Sequence, residues 1–125
     1  MNRRGFTLIE LLIVVVIIGV LATIAIPKLA NTKQKALIAS MKTDLRNLVT
    51  AEEAYAADSV NYTTDLGTGY SVTTGNVLGP ITLTGDGWTA TITNTNLASP
   101  LRTCAIYIGS TSTAPATKEG EAKCN

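Results

Sequence analysis

The sequence predicts an α+β fold: one long N-terminal α-helix, apolar in its first half and amphipathic in its second, packed on a small antiparallel β-sheet. Three observations predict it. The chain is uncharged from Leu11 to Pro27. Beyond that run, Leu37, Met41, Leu45, Leu48 and Tyr55 recur at spacings of three, four and seven, while Lys33, Lys35, Lys42, Arg46 and Glu53 lie at other angles, which is helical amphipathicity. From Ser59 onward the composition turns to Thr, Ser, Gly and Asn with short β-branched runs, the vocabulary of strands and turns.

The first element runs from Phe6 to Pro27, 22 residues. As a helix it is about 33 Å long, the thickness of a bilayer's hydrocarbon core. Val14, Val15, Val16, Ile17 and Ile18 are β-branched and mediocre helix formers in water, but in lipid each backbone group must be paired within the segment, which enforces the helix. Glu10 is the one charge in this stretch; an ionisable residue at membrane depth is a functional-site candidate, because its burial in hydrocarbon is costly. Gly19, without a Cβ, and Pro27, without an amide hydrogen, bracket the weakest part of the helix, where a bend or local melting is expected. The amphipathic half is expected to end near Ala57 or Asp58, giving one helix of roughly fifty residues that a domain of this size cannot enclose.

In the C-terminal part, Ile81–Thr84 and Trp88–Thr93 flank Gly85, Asp86 and Gly87, a hairpin pattern. Trp88, Ala90 and Ile92 alternate with threonines, so one face is expected buried and the other wet. A further strand is expected over Cys104–Ile108, with Cys104, Ile106 and Ile108 on one face against the Leu37, Met41, Leu45, Leu48 stripe. The stretch from Asn61 to Leu78 reads as a connecting loop with a short strand near Tyr70. Cys104 and Cys124 have 19 residues between them, which fits no common zinc or redox spacing. A disulfide is the simpler reading and two free thiols the alternative; a bond there implies an oxidising compartment and contributes about 3 kcal/mol in the chain-entropy model.

Ten Lys and Arg against nine Asp and Glu leave a formal charge of +1, with no block of charge that argues for nucleic acid. There is no histidine, no nucleophile-elbow serine and no phosphate-cradling glycine loop, so the chain does not read as an enzyme. Glu52 and Glu53 are adjacent, point about 100° apart on a helix, and read as surface charges. No cofactor or metal is expected; Asp86, Glu119 and Glu121 are scattered. A secretory signal cut near Ala25 leaves the acid inside the apolar run unexplained. A plain single-pass membrane protein is the better rival; on either reading the positive-inside count, with Lys28, Lys33 and Lys35 against Arg3 and Arg4, taken alone would place the chain's C-terminus in the cytoplasm, against the oxidising compartment that a disulfide implies.

Arg3 and Arg4 followed by Gly5, Phe6, Thr7, Leu8, Ile9 and Glu10, then an apolar helix ending at Pro27, resembles the type IV pilin and pseudopilin family, with a class III signal and type IVa-like features. The close resemblance covers Met1 to about Pro27, and beyond it only a pilin-like architecture matches. It implies a leader over residues 1–5, a transmembrane and filament-core helix over 6–27, the amphipathic half of that helix over 28–58, and a globular β-sheet region with a disulfide-closed C-terminal loop over 59–125. A prepilin peptidase is then expected to cut between Gly5 and Phe6 and to methylate the new amino group of Phe6. Loss of the leader changes the formal charge from +1 to −1.

The family resemblance also implies that Glu10 attracts the positively charged terminus of Phe6 on a neighbouring subunit, with Thr7 adding a hydrogen bond near it. The segment between Gly19 and Pro27 is the one such filaments unwind. The implied partners are further copies of the chain, the peptidase, an inner-membrane assembly platform with separate ATPases, and the membrane before assembly. The loop that Cys104 and Cys124 would close favours a pilus subunit for adhesion, twitching motility or DNA uptake. A pseudopilin of a type II secretion system, or a minor pilin, is the alternative.

Overall fold

A computed structural model of the chain describes residues 5–125; Arg3 and Arg4, with the rest of the expected leader ahead of Gly5, lie outside the described residues. The chain divides into an N-terminal unit ending at Gln34 and a second unit, Lys35–Asn125. One helix, α1 (Leu8–Ser59), supplies all the regular structure of the first unit and the first element of the second.

In the N-terminal unit the apolar side chains face outward on every side: Leu12, Val16, Leu21, Ile24 and Leu29 are all exposed. The helix is long and apolar enough to cross a membrane. It passes unbroken through Gly19 and through Pro27. The expected local melting is therefore not a property of this single chain. Pro27 removes one backbone hydrogen bond, a loss of roughly 3 kcal/mol, but a helix cooperatively formed on both sides spans the gap.

In the second unit the helix presents the expected stripe. Met41, Leu45 and Leu48 are fully buried with Ile81, Trp88, Ala90, Ile92, Leu97, Cys104 and Ile106, and Leu37 packs at the margin. Tyr55, expected on the same stripe, is instead exposed, and Glu52 takes the buried position four residues past Leu48. Adjacent residues on a helix do diverge, as expected, but of Glu52 and Glu53 only Glu53 is a surface charge.

Five strands follow: β1 (Asn76–Leu78), β2 (Thr82–Thr84), β3 (Gly87–Asn94), β4 (Thr103–Ile108) and β5 (Lys123–Cys124). All pairings are antiparallel, in the order β1-β3-β4-β5, with β2 on the same edge of β3 as β1. β1 takes the far half of that edge, Asn76 opposite Asn94, and β2 the near half, Thr84 opposite Gly87. Between them Gly79 sits against Thr91, where an added Cβ would lie 2.7 Å from the Thr91 hydroxyl oxygen. Pro80 follows with no N–H to donate, so the edge strand breaks in two. At Gly87 an added Cβ would collide with the Ile108 carbonyl, which explains the glycine at the hairpin's return.

The hairpin and the Cys104–Ile108 strand stand where the alternation placed them. Three expectations change. The other sheet face is not simply wet: Thr89, Thr91 and Thr93 are half-buried, and Ala105, Tyr107 and Ala116 form a small second cluster. No strand lies at Tyr70; Gly67–Gly69 is a 3-10 turn, and the strand of this region is β1, further on. The connecting segment is also tied to the helix through Asp44, buried on the apolar stripe. Its carboxylate accepts hydrogen bonds from the Thr73 N–H (2.9 Å), the Thr73 hydroxyl (2.8 Å) and the Asn76 amide (2.6 Å). Asn94 on β3 donates in turn to the Asn76 side-chain oxygen at 2.8 Å, so one polar chain links helix, β1 and β3.

Cys104 and Cys124 form a disulfide across the β4–β5 pair, closing the C-terminal segment as expected. Asp86 and Glu119 are not scattered relative to each other. The Asp86 carboxylate accepts the Ser110 N–H at 2.8 Å and the Glu119 carboxylate accepts the Gly109 N–H at 2.8 Å, so together they hold one turn. The hydroxyl and N–H of Ser110 keep the Asp86 carboxyl below the usual range. Glu121 instead lies 4.0 Å from Lys118 on the surface. Among the described residues no group of three acidic, histidine or cysteine side chains is arranged to hold a metal.

Candidate functional site

The candidate site is the first turn of α1. The helix begins at Leu8, two residues later than the expected Phe6, because Thr7 occupies the N-cap. A helix start leaves amide donors without intrahelical partners, and a Thr with a Glu three residues on satisfies two of them reciprocally. Here the Glu10 N–H donates to the Thr7 hydroxyl oxygen at 3.3 Å. The Thr7 N–H donates to Glu10 Oε2 at 2.8 Å and the Thr7 hydroxyl donates to the same oxygen at 2.6 Å.

The anomalous carboxylate is thus already half-satisfied within its own chain. Both bonds fall on Oε2, and among the described residues Oε1 accepts none, which leaves it directed to whatever lies outside. Thr7 and Glu10 are brought together at the helix start. The capping box was legible in the sequence as T-x-x-E ahead of an apolar run, although the pairing of Thr7 with Glu10 within one chain was missed.

Phe6 is 84% exposed and makes no part of any core. Around Gly5 and around Gly19 an added Cβ would meet nothing within 4 Å. Neither glycine is required by packing inside this chain. Pro27 lies inside α1, 22 residues along the described chain from Gly5, and Cys104 and Cys124 lie in the second unit; neither contributes to the turn.

The second unit holds a carboxylate that sequence reasoning missed. Glu52 is fully buried; its Oε2 accepts the Thr63 N–H at 3.1 Å, and its Oε1 is buried with no hydrogen-bond partner among the described residues. Burial pushes its carboxyl up, opposed by the Thr63 N–H and helped by the charge of Glu53. The hydroxyl of Tyr70, which donates to the Asp44 carbonyl, is pushed up to about 12 by burial and by the Asp44 charge.

The turn's geometry defines a class: a capped, membrane-length apolar helix with one carboxylate near its start. Residues 1–26 match the family model described as the prokaryotic N-terminal methylation motif. The chain is similar to the type IV major pilin protein PilA of Myxococcus xanthus, 44% identical over 61 residues, 49% of this chain and 28% of that protein. It is 42% identical over 63 residues to the type II secretion system core protein G of Klebsiella pneumoniae, 50% of this chain and 45% of the relative. To the type IV wide pilus major component PilA4 of Thermus thermophilus it is 41% identical over 64 residues, 51% of this chain and 49% of the relative. The match therefore spans at most about half the length of these curated relatives. No solved structure matches the chain significantly. The homologues are type IV pilins and type II secretion core proteins, and the N-terminal methylation motif is present.

Proposed function

We propose that the chain is a structural subunit of a type IV pilus rather than an enzyme. It is held in the inner membrane by residues 6–27 and polymerised through that helix into an extracellular filament serving adhesion, twitching motility or DNA uptake. The observation that carries this reading is the N-terminal unit itself: a methylation motif leading into an apolar helix whose side chains are all but entirely unburied in the single chain. Bilayer first, and other copies of the helix afterwards, supply the missing contacts.

In this reading prepilin peptidase cuts between Gly5 and Phe6 and methylates Phe6. A residue with no side chain at position 5 gives the enzyme access, consistent with the open space around it. The methylated amine of Phe6 stays cationic and pairs with Glu10 of a neighbour through Oε1, while Thr7 holds Oε2. In low dielectric a charge left unpaired is heavily penalised, so the pair sets register between subunits as much as it adds affinity. Gly19 and Pro27 then mark the segment able to unwind when neighbours compete for its backbone. An inner-membrane platform and separate cytoplasmic ATPases would drive assembly.

Substituting Glu10→Ala tests the site. Cells producing that variant should shed far fewer filaments than wild type at equal subunit level, and an undiminished yield sinks the pairing role. Mass spectrometry of the mature N-terminus should find methylated Phe6; an intact Met1 would end the leader reading. The similarity to type II secretion core protein G favours a second reading, a pseudopilin of a secretion system. Long surface fibres built of this chain argue for the first, and a chain confined beneath the outer membrane for the second.

A further inference from the structure

Charge in the N-terminal unit changes sign along α1. After Glu10 the next acid in the chain is Asp44, and the charged residues of this unit beyond Glu10 are Lys28 and Lys33. Both lysines are exposed. Among the described residues the one ion pair is Lys118 with Glu121, so neither lysine is paired within the chain.

Their height on the helix is fixed, because α1 runs unbroken through Pro27, Lys28 and Lys33. The uncharged stretch Leu11–Pro27 is about 25 Å long as a helix, a few ångströms short of a hydrocarbon core of about 30 Å. With that stretch in a bilayer, Lys28 stands at the edge of the hydrocarbon, where a lysine extends its apolar stem and sets its ammonium among the headgroups. Lys33 is about 7.5 Å further along, within the ~8 to 10 Å over which a charged surface is felt at ordinary salt. Beside Lys28 the helix has a shallow depression lined by Ala25, Ile26, Lys28, Leu29 and Thr32. The Thr32 hydroxyl donates to the Lys28 carbonyl at 3.0 Å, so its proton is committed and the Lys28 ammonium is the donor left at this rim.

We propose that Lys28 and Lys33 form a collar that binds anionic phospholipids of the phosphatidylglycerol kind, in the leaflet away from the cytoplasm, with an acyl chain lying in the depression beside Ala25 and Leu29. The inference rests on the membrane placement in the pilus-subunit reading and adds a lipid preference to it. Position selects the occupant. At headgroup level the anion within reach of both ammoniums is a lipid phosphate, and Glu10 lies at the other end of the apolar run. Phosphatidylcholine offers the same phosphate with its own compensating cation, so the headgroup with net negative charge is preferred. On the pilus-subunit reading this end of the helix faces away from the cytoplasm, against the positive-inside count, and anionic headgroups on that side offset the bias.

The full chain in phosphatidylcholine vesicles, probed with spin-labelled phosphatidylglycerol and spin-labelled phosphatidylcholine, tests this. The share of each probe immobilised by the protein gives their relative affinity. A lysine at the headgroup surface is expected to favour the anionic probe about fivefold in low salt. Lys28→Gln combined with Lys33→Gln should therefore lower the preference by at least about fivefold, and Lys28→Arg combined with Lys33→Arg should keep it. Salt at about 1 M, where screening acts within ~3 Å, should bring wild type toward the Gln variant. Lys118→Gln combined with Lys123→Gln, the same charge change in the second unit, should leave the preference as it is. Arg3 and Arg4 are common to all variants, so the differences report the lysines. Thermal unfolding followed at Trp88 should match wild type throughout, which separates lipid contact from folding.

If the wild-type chain does not float with the vesicles, the membrane placement fails and takes this inference with it. If it floats and the Gln pair at Lys28 and Lys33 keeps the wild-type preference within a factor of about two, the headgroup contact alone is overturned. It is likewise overturned if the Gln pair at Lys118 and Lys123 lowers the preference as much, because net charge and not position would then set it. A preference that salt leaves untouched is not electrostatic and overturns the proposal as well.

Discussion

The two units of this molecule handle their carboxylates in opposite ways. In the N-terminal unit nearly every apolar side chain is exposed, and the one acid, Glu10, is turned back on Thr7 to close the helix start. In the second unit most of the large apolar side chains are buried or half-buried, and two acids, Asp44 and Glu52, are buried with them. The difference separates two sources of order. The second unit is complete as a single chain, its polar groups largely paired internally, whereas the first has a satisfied backbone and unsatisfied side-chain surface. Such a segment is ordered by what surrounds it.

Leucine truncation in each unit breaks or sharpens this contrast most strongly. Leu45→Ala removes a fully buried side chain from the helix–sheet core and should cost about 2 to 5 kcal/mol of unfolding free energy. Leu12→Ala removes one that is 56% exposed and should change the same quantity by no more than about 0.5 kcal/mol. Denaturant unfolding of the second unit's tryptophan signal, from Trp88, measures both. Comparable losses would mean that the first unit is not independent of the core.

Asp44→Ala comes next. It leaves the Thr73 N–H, the Thr73 hydroxyl and the Asn76 amide without their acceptor, and a hydrogen bond to a charged group contributes about 1.5 to 3 kcal/mol. A destabilisation of that order, with faster amide exchange confined to residues around Thr73 and Asn76, is the expected result. A change below about 0.5 kcal/mol would reduce the network to decoration of an apolar core.

Glu52 makes the contrast pH-dependent. Its folded-state carboxyl is raised above the ordinary value by burial, so the folded chain binds its proton more tightly than the unfolded chain does. The associated stability is fully present below the ordinary glutamate range and is lost as pH rises through the raised folded value. Asp86 acts in the opposite sense and lower down: its depressed carboxyl contributes stability above the ordinary aspartate range that is lost as pH falls through the folded value. Thermal midpoints of wild type and Glu52→Gln, measured from about pH 4.5 to neutrality, isolate the first effect. The advantage of Glu52→Gln should widen as pH rises, and a constant difference would show that the carboxyl ionises freely.

Much of this arrangement was legible in the chain because apolar periodicity reports directly on packing. The stripe at Met41, Leu45 and Leu48, the hairpin about Gly85–Gly87 and the alternation through Trp88, Ala90 and Ile92 all follow from which residues avoid water. The buried acids were not legible for the complementary reason. A carboxylate enters a core only if donors meet it there, and those of Asp44 and Glu52 come from Thr73, Asn76 and Thr63, all beyond the helix in sequence. β1 was hidden likewise, because its three residues become a strand only against Ile92–Asn94. At the candidate site the mutual capping of Thr7 and Glu10 was local and readable, and an intermolecular role for the acid drew attention away from it.

The smallest expected effect concerns the point where α1 ends. Val60 has a positive φ of 67° and is 88% exposed, and its N–H donates to the Ala56 carbonyl at 2.8 Å, the geometry of a left-handed helix cap. That position ordinarily takes glycine, because a Cβ there crowds the carbonyl, at roughly 1 to 2 kcal/mol for an L-residue. A β-branched side chain that is almost wholly in solvent gains nothing from packing to offset this. Val60→Gly relieves the crowding but also enlarges the unfolded chain's freedom, which takes back about 0.4 to 1 kcal/mol. The net expectation is stabilisation by up to about 1 kcal/mol, read as a higher midpoint in denaturant unfolding with an unchanged slope. A lower midpoint would mean that the Val60 side chain makes the second unit's helix end stiffer than its exposed position suggests, and would weaken the view that this unit's order comes from its buried contacts alone.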